Sequence, residues 1–207
     1  MGIINLLIKH RYGQYGLLSY VELEFALGVG IVASYNFFHP QTRSVIDGDQ
    51  LEIFNIIIWT IGIILATLVI KNISLGIGQD LYDGTIISFL QMRSRREVFF
   101  LSYFVDVLLI GIIFILASEL VFSLASFNPP LIWINSFLSQ YLFICNTSYI
   151  FTILIKRPFR SFFTGIVIIL ILLGIELTGY IGVFNYLLPI DIVLIYLAYY
   201  LFKKVSI

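Results

Sequence analysis

The longest polar break in the chain reads GIGQDLYDGTIISFLQMRSRRE at residues 76–97, and it separates two long apolar blocks. The block before it covers about residues 51–73, and the block after it covers about residues 98–122. Each block is long enough to cross the hydrocarbon layer as a helix, which takes about 20 residues. Because a polar segment between two spans stays on one side of a membrane, this polar break fixes how the neighbouring helices are threaded.

Four further apolar blocks lie outward from this centre. They are predicted as spans at about residues 17–38, 131–155, 162–179 and 189–202. The composition agrees, because 60% of the 207 residues are hydrophobic and 12% are charged, whereas soluble domains carry about 25% charged residues. We therefore predict an all-α polytopic membrane protein of one domain, residues 1–207, with six transmembrane helices.

The basic residues are divided unevenly between the two sides of this arrangement. With an even number of membrane crossings, eleven of the twelve Lys and Arg residues lie on the same side as both termini, and only Arg43 lies on the other side. Basic residues near membrane ends stay in the cytoplasm. Both termini and the polar break are therefore expected on the cytoplasmic face of a multi-pass protein of the cell membrane. The net charge is zero, and the sequence offers no broad basic face for nucleic acid, so the lipid bilayer is the expected partner.

The polar break itself has helical features. Its apolar residues recur near helical spacing, which predicts short amphipathic turns. Gly84-Thr85 is expected to separate two such turns, with Thr85 as an N-cap. Ser94 followed by Glu97 forms a capping box that would start the next helix. The basic cluster of Arg93, Arg95 and Arg96 is by itself an orientation signal.

The order of residues in the break also resembles the loop after the second helix of ABC-2 type permeases, the membrane subunits of one class of ATP-binding-cassette transporter. That family shows an acidic residue, Gly-Thr, an apolar turn and a Pro-Val-Ser-Arg-Arg-Glu run. The matching positions here are Asp80 and Asp83, Gly84-Thr85, Ile86 to Leu90, and Ser94-Arg95-Arg96-Glu97. Met92 stands where the family usually has proline. The six-span plan with both termini inside is similar to that family over essentially the whole chain.

The resemblance implies a specific function. Residues 76–97 would be the coupling loop that docks on a separate ATPase subunit. The residues expected to make this contact are Asp80, Asp83, Gly84, Thr85, Arg95, Arg96 and Glu97. A second permease copy or paralogue would complete the pathway, and the transporter would most simply export a hydrophobic or amphipathic substrate.

ATP and Mg are expected on the partner subunit. The chain has no Gly-x-x-x-x-Gly-Lys-Ser/Thr motif, so neither a cofactor nor enzyme activity is expected in it. Residues 1–16 begin with apolar side chains followed by Lys9, His10 and Arg11, a pattern typical of a helix lying in the membrane interface. The family's connecting helix would correspond to this segment, and a disordered tail is the alternative.

Acidic residues inside the predicted spans are the remaining candidates, because such groups are costly in a bilayer. Glu22, Glu24 and Asp106 near the inner ends are expected to pair with Lys9, Arg11 or Arg96. Three deeper acids, Glu119, Glu176 and Asp191, are predicted in the outer half at similar depth. They would either line a proton or cation path or lie at the outer headgroup boundary.

Two other functions remain open at this stage. An ion-coupled secondary carrier would use the three deeper acids and need no ATPase. A non-transporting membrane subunit would be part of a larger complex and would tolerate substitutions in the polar break. Neither alternative requires the resemblance to hold.

Overall fold

The computed structural model of the chain describes residues 3–13, 16–38, 48–124, 131–177 and 188–205, and every regular element within these ranges is helical. The elements are α1 (Ile3–Tyr12), α2 (Gly16–Phe38), α3 (Gly48–Leu75), α4 (Ile77–Asp83), α5 (Ile86–Met92), α6 (Arg95–Tyr103), a π-helical turn (Phe104–Leu108), α7 (Leu109–Leu124), α8 (Leu131–Ile155), α9 (Pro158–Leu177) and α10 (Leu188–Lys204). The predicted all-α class is confirmed for these residues.

Five segments of the described chain are long and apolar enough to cross a membrane. They are Gly16–Ala33, Thr60–Asp83, Arg95–Leu124, Phe137–Ile155 and Pro158–Ile175. Each of the first five predicted spans falls on one of them. The sixth falls on α10, whose 17 residues extend about 26 Å at 1.5 Å per residue, slightly less than a hydrocarbon layer of about 30 Å. The six-span count therefore stays a prediction, and Arg43 lies outside the described residues.

Two of the long helices form the centre of the molecule. In an 18-residue window of the candidate spans Thr60–Asp83 and Phe137–Ile155, 56% of the residues are buried, against 22% for Gly16–Ala33 and Pro158–Ile175. Helix α8 packs against α3, α9 and α10, while α2 packs mainly against α7. An aromatic cluster around Phe99 joins α6, α8 and α10, with Tyr149 and Phe202 fully buried in it. The core therefore lies between α3, α8 and the start of α6.

The polar break folds into the two short helices α4 and α5. Gly84 adopts a left-handed conformation, with φ of 75°, and ends α4, since glycine takes this conformation without a steric penalty. The backbone N–H of Glu97 donates to Oγ of Ser94 at 3.3 Å, so the predicted cap of α6 is confirmed. Thr85 occupies the predicted N-cap position of α5, but its backbone is already helical and its side chain makes no capping hydrogen bond.

The amino-terminal segment is a helix rather than a disordered tail within residues 3–12. Leu7 and Tyr12 of α1 are buried against the core, while Ile4 and Leu6 are exposed. One face of α1 is therefore held by the protein. The exposed residues of α1 are apolar at Ile4 and Leu6 and polar at Asn5, Lys9 and His10, a mixture compatible with a helix that lies along a membrane surface.

The ends predicted to be cytoplasmic lie together on one face of the molecule. Arg95 at the start of α6 donates to the backbone carbonyls of Lys203 and Val205, at 2.8 and 3.1 Å. Arg11 at the end of α1 contacts α4. Helix α4 in turn packs against α8 and α9 near their junction. The segment before α2 and the end of α10 therefore meet at the same face as the polar break.

Candidate functional site: a buried ion cluster beneath the polar break

The site is built around one arginine from α1. Nη2 of Arg11 donates to Oδ2 of Asp80 in α4 at 2.5 Å, and Nε donates to Oδ1 of Asp106 in the π turn at 2.9 Å. The three side chains are 5%, 1% and 0% exposed, respectively. Nε2 of His10 lies 3.1 Å from Oδ1 of Asp80. We call these four residues the ion cluster, and it joins the amino-terminal helix, the polar break and the third predicted span.

The charges of Arg11, Asp80 and Asp106 stabilise one another because these three side chains are removed from water. Burial lowers the pKa of Arg11, but the carboxylates of Asp106 and Asp80 more than offset this, so the pKa of Arg11 is raised. The guanidinium is thus charged at any physiological pH. The single buried cation, Arg11, faces two carboxylates, and the side chain of His10 lies at the edge of the ion cluster, 45% exposed. Removing one member would leave the others buried without compensation.

Gly76, between α3 and α4, allows the ion cluster to lie against the backbone. A Cβ atom at this position would be 2.9 Å from Nε of Arg11 and 2.9 Å from Oδ1 of Asp106, and closer still to the carbonyl oxygen of Asn72. Any side chain at Gly76 would therefore displace either the ion pair or the preceding turn. The change of direction between α3 and α4 and the ion pair depend on the same residue.

The π turn explains how Asp106 reaches the ion cluster. A π turn adds a residue to the helical repeat and alters the backbone bonding around it. The hydroxyl of Tyr12 donates to the carbonyl of Val105 at 2.6 Å, and that of Tyr141 donates to the carbonyl of Val107 at 2.7 Å. Burial raises the pKa of Tyr12, so this phenol stays a donor. Tyrosines of α1 and α8 therefore satisfy carbonyls on both sides of Asp106, as an apolar environment requires.

The residues expected to contact an ATPase are divided between the interior and the surface. Asp80 is buried in the ion cluster, and Arg95 is used to hold the end of α10. Asp83, Arg96 and Glu97 are exposed, while Gly84 and Thr85 are partly buried. Glu97 pairs with Arg93 at 3.2 Å on the surface of α6.

The exposed face of α4 and α5 carries apolar side chains as well. Tyr82, Ile87 and Met92 are 62%, 45% and 52% exposed. Ile86 and Phe89, on the opposite face, are buried in the core. The break therefore has an inner face fixed by packing and the ion cluster, and an outer face open to a partner.

Two of the three deeper acids, Glu119 and Asp191, have side chains within the described residues, and these two do not share a site. Asp191 is 2% exposed and accepts from Nδ2 of Asn146 at 3.3 Å, and Asn146 accepts from the hydroxyl of Tyr103 at 2.6 Å. Glu119 is exposed and follows Tyr103 by sixteen positions, about 24 Å along a helix. Glu119 therefore lies far along the bundle from the hydrogen-bonded group of Asp191, and a role of these acids in a transport path stays a prediction. The side chain of Glu176 lies outside the described residues.

The shallow acids divide as well. The expected pairing of Asp106 with Arg11 is confirmed, and Glu22 is exposed. Glu24 is fully buried, and neither of its carboxyl oxygens has a hydrogen-bond partner among the described residues. Sequence reasoning missed the contact of Arg11 with Asp80 and the chain from Tyr103 to Asp191. No local spacing indicates either, because the partners are 69 and 88 positions apart.

The fold and the site define a helical protein with five candidate membrane-spanning helices and a buried ion cluster under one face. No protein-family model, no curated protein and no solved structure matches the chain. Within the described residues, no group of three or more His, Cys, Asp or Glu side chains is arranged to hold a metal ion.

Proposed function

We propose that the chain is the permease subunit of an ABC-2 type transporter, driven by a separate ATPase subunit through the polar break. The observation that carries the proposal is the ion cluster: Arg11 ties α4 to α1 and to the third predicted span through buried charges. The resemblance assigns coupling to this same stretch of sequence, independently of that contact.

A rigid connection is what coupling requires. A nucleotide-driven movement reaches the membrane only through an element that contacts both parts and differs in its contacts between two states. The inner face of α4 and α5 is bonded to the helices, and the outer face presents Tyr82, Asp83, Ile87 and Met92. In this proposal the outer face contacts the ATPase, while Asp80 positions α4 from the inside.

The arrangement of chain ends supports six spans. Because α1 and the end of α10 both reach the face that carries the polar break, the chain between them crosses an even number of times. With five candidate spans, an even number of crossings needs a sixth, and α10 is the segment that we propose for it. The segregation of basic residues supports a cytoplasmic position for this face.

Transport itself rests on the resemblance and on the apolar outer surface. Exposed apolar side chains run along α2 and α7, including Leu18, Phe25, Leu116 and Leu120. Such faces contact lipid or a second permease copy, and a hydrophobic or amphipathic substrate would suit a pathway bounded by them. Export is the proposed direction, with ATP and Mg bound by the partner subunit.

Co-purification tests this proposal. The tagged chain is isolated from its native membranes as wild type, as Tyr82→Glu and as Phe159→Glu, and the partners are identified by mass spectrometry with ATP hydrolysis measured. Phe159, 74% exposed at the start of α9, is the matched control because it lies outside α4 and α5. We expect a P-loop ATPase with wild type and with Phe159→Glu, and its loss with Tyr82→Glu.

Absence of an ATPase from the wild-type sample, or equal retention by all three proteins, would overturn the proposal. Arg95 is not substituted in this test because it holds the end of α10. The ion-coupled alternative is less well supported, since Glu119 and Asp191 do not share a site. A non-transporting subunit would instead co-purify with a complex that contains no ATPase.

A further inference from the structure

We propose that an open groove between α1 and α6 binds an anionic phospholipid of the surrounding membrane. The groove has a volume of about 660 Å³, and its walls include Ile4 and Asn5 of α1 and Arg96, Glu97 and Phe100 of α6. It lies where the candidate span Arg95–Leu124 begins. This proposal is independent of the ATPase and requires only that this span lies in a bilayer.

Of the charged side chains that line the groove, Arg96 is the cation that can bind a ligand. Arg93 and Glu97 form an ion pair at 3.2 Å, so their charges offset each other. Arg96 is exposed, and among the residues the structure describes it has no hydrogen-bond or ion-pair partner. A free guanidinium matches the geometry of a phosphate group. The amide of Asn5 lies on the same groove and provides a further polar group.

Part of the groove wall is apolar and open to the outside. Ile4 and Phe100 are 41% and 43% exposed, and Phe100 is supported from behind by Phe99 and Tyr199. A cationic rim above an apolar wall at a membrane surface suits a molecule with a phosphate and a hydrocarbon chain. Such a molecule is a phospholipid with net negative charge.

A free phosphate or a water-soluble phosphate ester fits the groove less well. One exposed guanidinium attracts an anion only weakly in water, so most of the affinity must come from hydrocarbon against Ile4 and Phe100. Leu6, 42% exposed on α1, extends the apolar surface toward the expected position of the membrane. The lipid source is therefore favoured over a soluble ligand.

The test uses the purified full chain, stripped of lipid in a neutral detergent and titrated with phosphatidylglycerol or phosphatidylcholine of identical acyl chains. Bound lipid is counted by native mass spectrometry for wild type, Arg96→Gln, Arg96→Lys and Arg160→Gln. Arg160 is an exposed arginine at the start of α9 and does not line the groove. We expect a preference for phosphatidylglycerol of about three- to fivefold, as one exposed charge pair provides.

The preference should disappear in Arg96→Gln and persist in Arg96→Lys and Arg160→Gln. Equal binding of the two lipids, or equal behaviour of Arg96→Gln and Arg160→Gln, would overturn the proposal. Displacement of phosphatidylglycerol by glycerol phosphate at similar concentration would make the groove a soluble-phosphate site instead. Loss of a bound protein in Arg96→Gln, with the lipid preference unchanged, would make it a protein-binding surface.

Discussion

Arg11 connects parts of the chain that are far apart in sequence. Its guanidinium bonds carboxylates 69 and 95 positions away, in α4 and in the π turn. The sequence predicts that Asp106 pairs with one of several nearby cations, because a shallow intramembrane acid needs a counter-charge. It does not predict Asp80 as the second partner, since Asp80 reads as an exposed loop residue until α4 is folded against α1. The pairing of Asp106 could therefore be predicted, because its place inside an apolar block implies burial. The pairing of Asp80 could not, because Asp80 becomes buried only when α4 packs in the folded protein.

Replacement of Arg11 tests whether the ion cluster stabilises the fold. Arg11→Gln leaves two buried carboxylates without a cation, so it is expected to lower the free energy of unfolding by about 3–5 kcal/mol. Arg93→Gln removes an exposed pair with Glu97 and is expected to cost at most about 0.5 kcal/mol. Unfolding of the detergent-solubilised proteins by denaturant measures both values.

A double variant separates the ion pair from simple loss of packing. Arg11→Gln with Asp106→Asn is expected to lower the free energy of unfolding by less than the sum of the two single changes. The reason is that Asp106→Asn removes one of the carboxylates that Arg11→Gln leaves without a cation. Strict additivity, or an Arg11→Gln cost as small as that of Arg93→Gln, would show that the ion cluster does not stabilise the fold.

The ends of the helices in the polar break could be predicted where they depend on neighbouring residues in the sequence. Gly84 ends α4 and Ser94 caps α6, and both follow from turn and cap chemistry within a few residues. The π turn was not predictable, because the hydroxyls that satisfy its carbonyls belong to Tyr12 and Tyr141, 93 and 34 positions away. The hydrogen bond of Asp191 with Asn146 was also not predicted, since it depends on α10 packing against α8.

A substitution at Gly76 tests the close approach of α3, α4 and the ion cluster. In Gly76→Ala, the new methyl group would overlap the position of the Arg11 and Asp106 side chains and the carbonyl of Asn72. We expect a loss of at least about 1–3 kcal/mol of stability, as for other overpacked sites. Gly174→Ala is the matched control, because nothing lies within 4 Å of its Cβ position in α9.

The control should leave stability unchanged or raise it by about 1 kcal/mol, since alanine favours a helix over glycine. Thermal unfolding of the two variants beside wild type measures the difference. If Gly76→Ala is as stable as Gly174→Ala, the close approach of α3, α4 and the ion cluster is not required by the fold.

For the whole molecule, composition and hydrophobic periodicity predicted most of the architecture. Each of the first five predicted spans overlaps a candidate membrane-spanning segment, because long apolar runs have few alternatives in a membrane. The sixth was harder, since α10 has only 17 residues and its burial depends on α8. The charge pattern predicts orientation, and the contacts of Arg11 and Arg95 add that both ends of the described chain reach one face.

The central claim is that this face, with the polar break, lies in the cytoplasm, where an ATPase can reach it. It is tested by labelling single cysteines with a membrane-impermeant maleimide, in a Cys145→Ala background that removes the one native cysteine. Exposed positions are changed one at a time: Ser94→Cys, Lys204→Cys and, at the other end of the third span, Ser123→Cys. We predict labelling of Ser123→Cys in intact cells, and of the other two only after permeabilisation. Labelling of Ser94→Cys in intact cells, or labelling of Ser94→Cys and Lys204→Cys from opposite sides, would contradict the account.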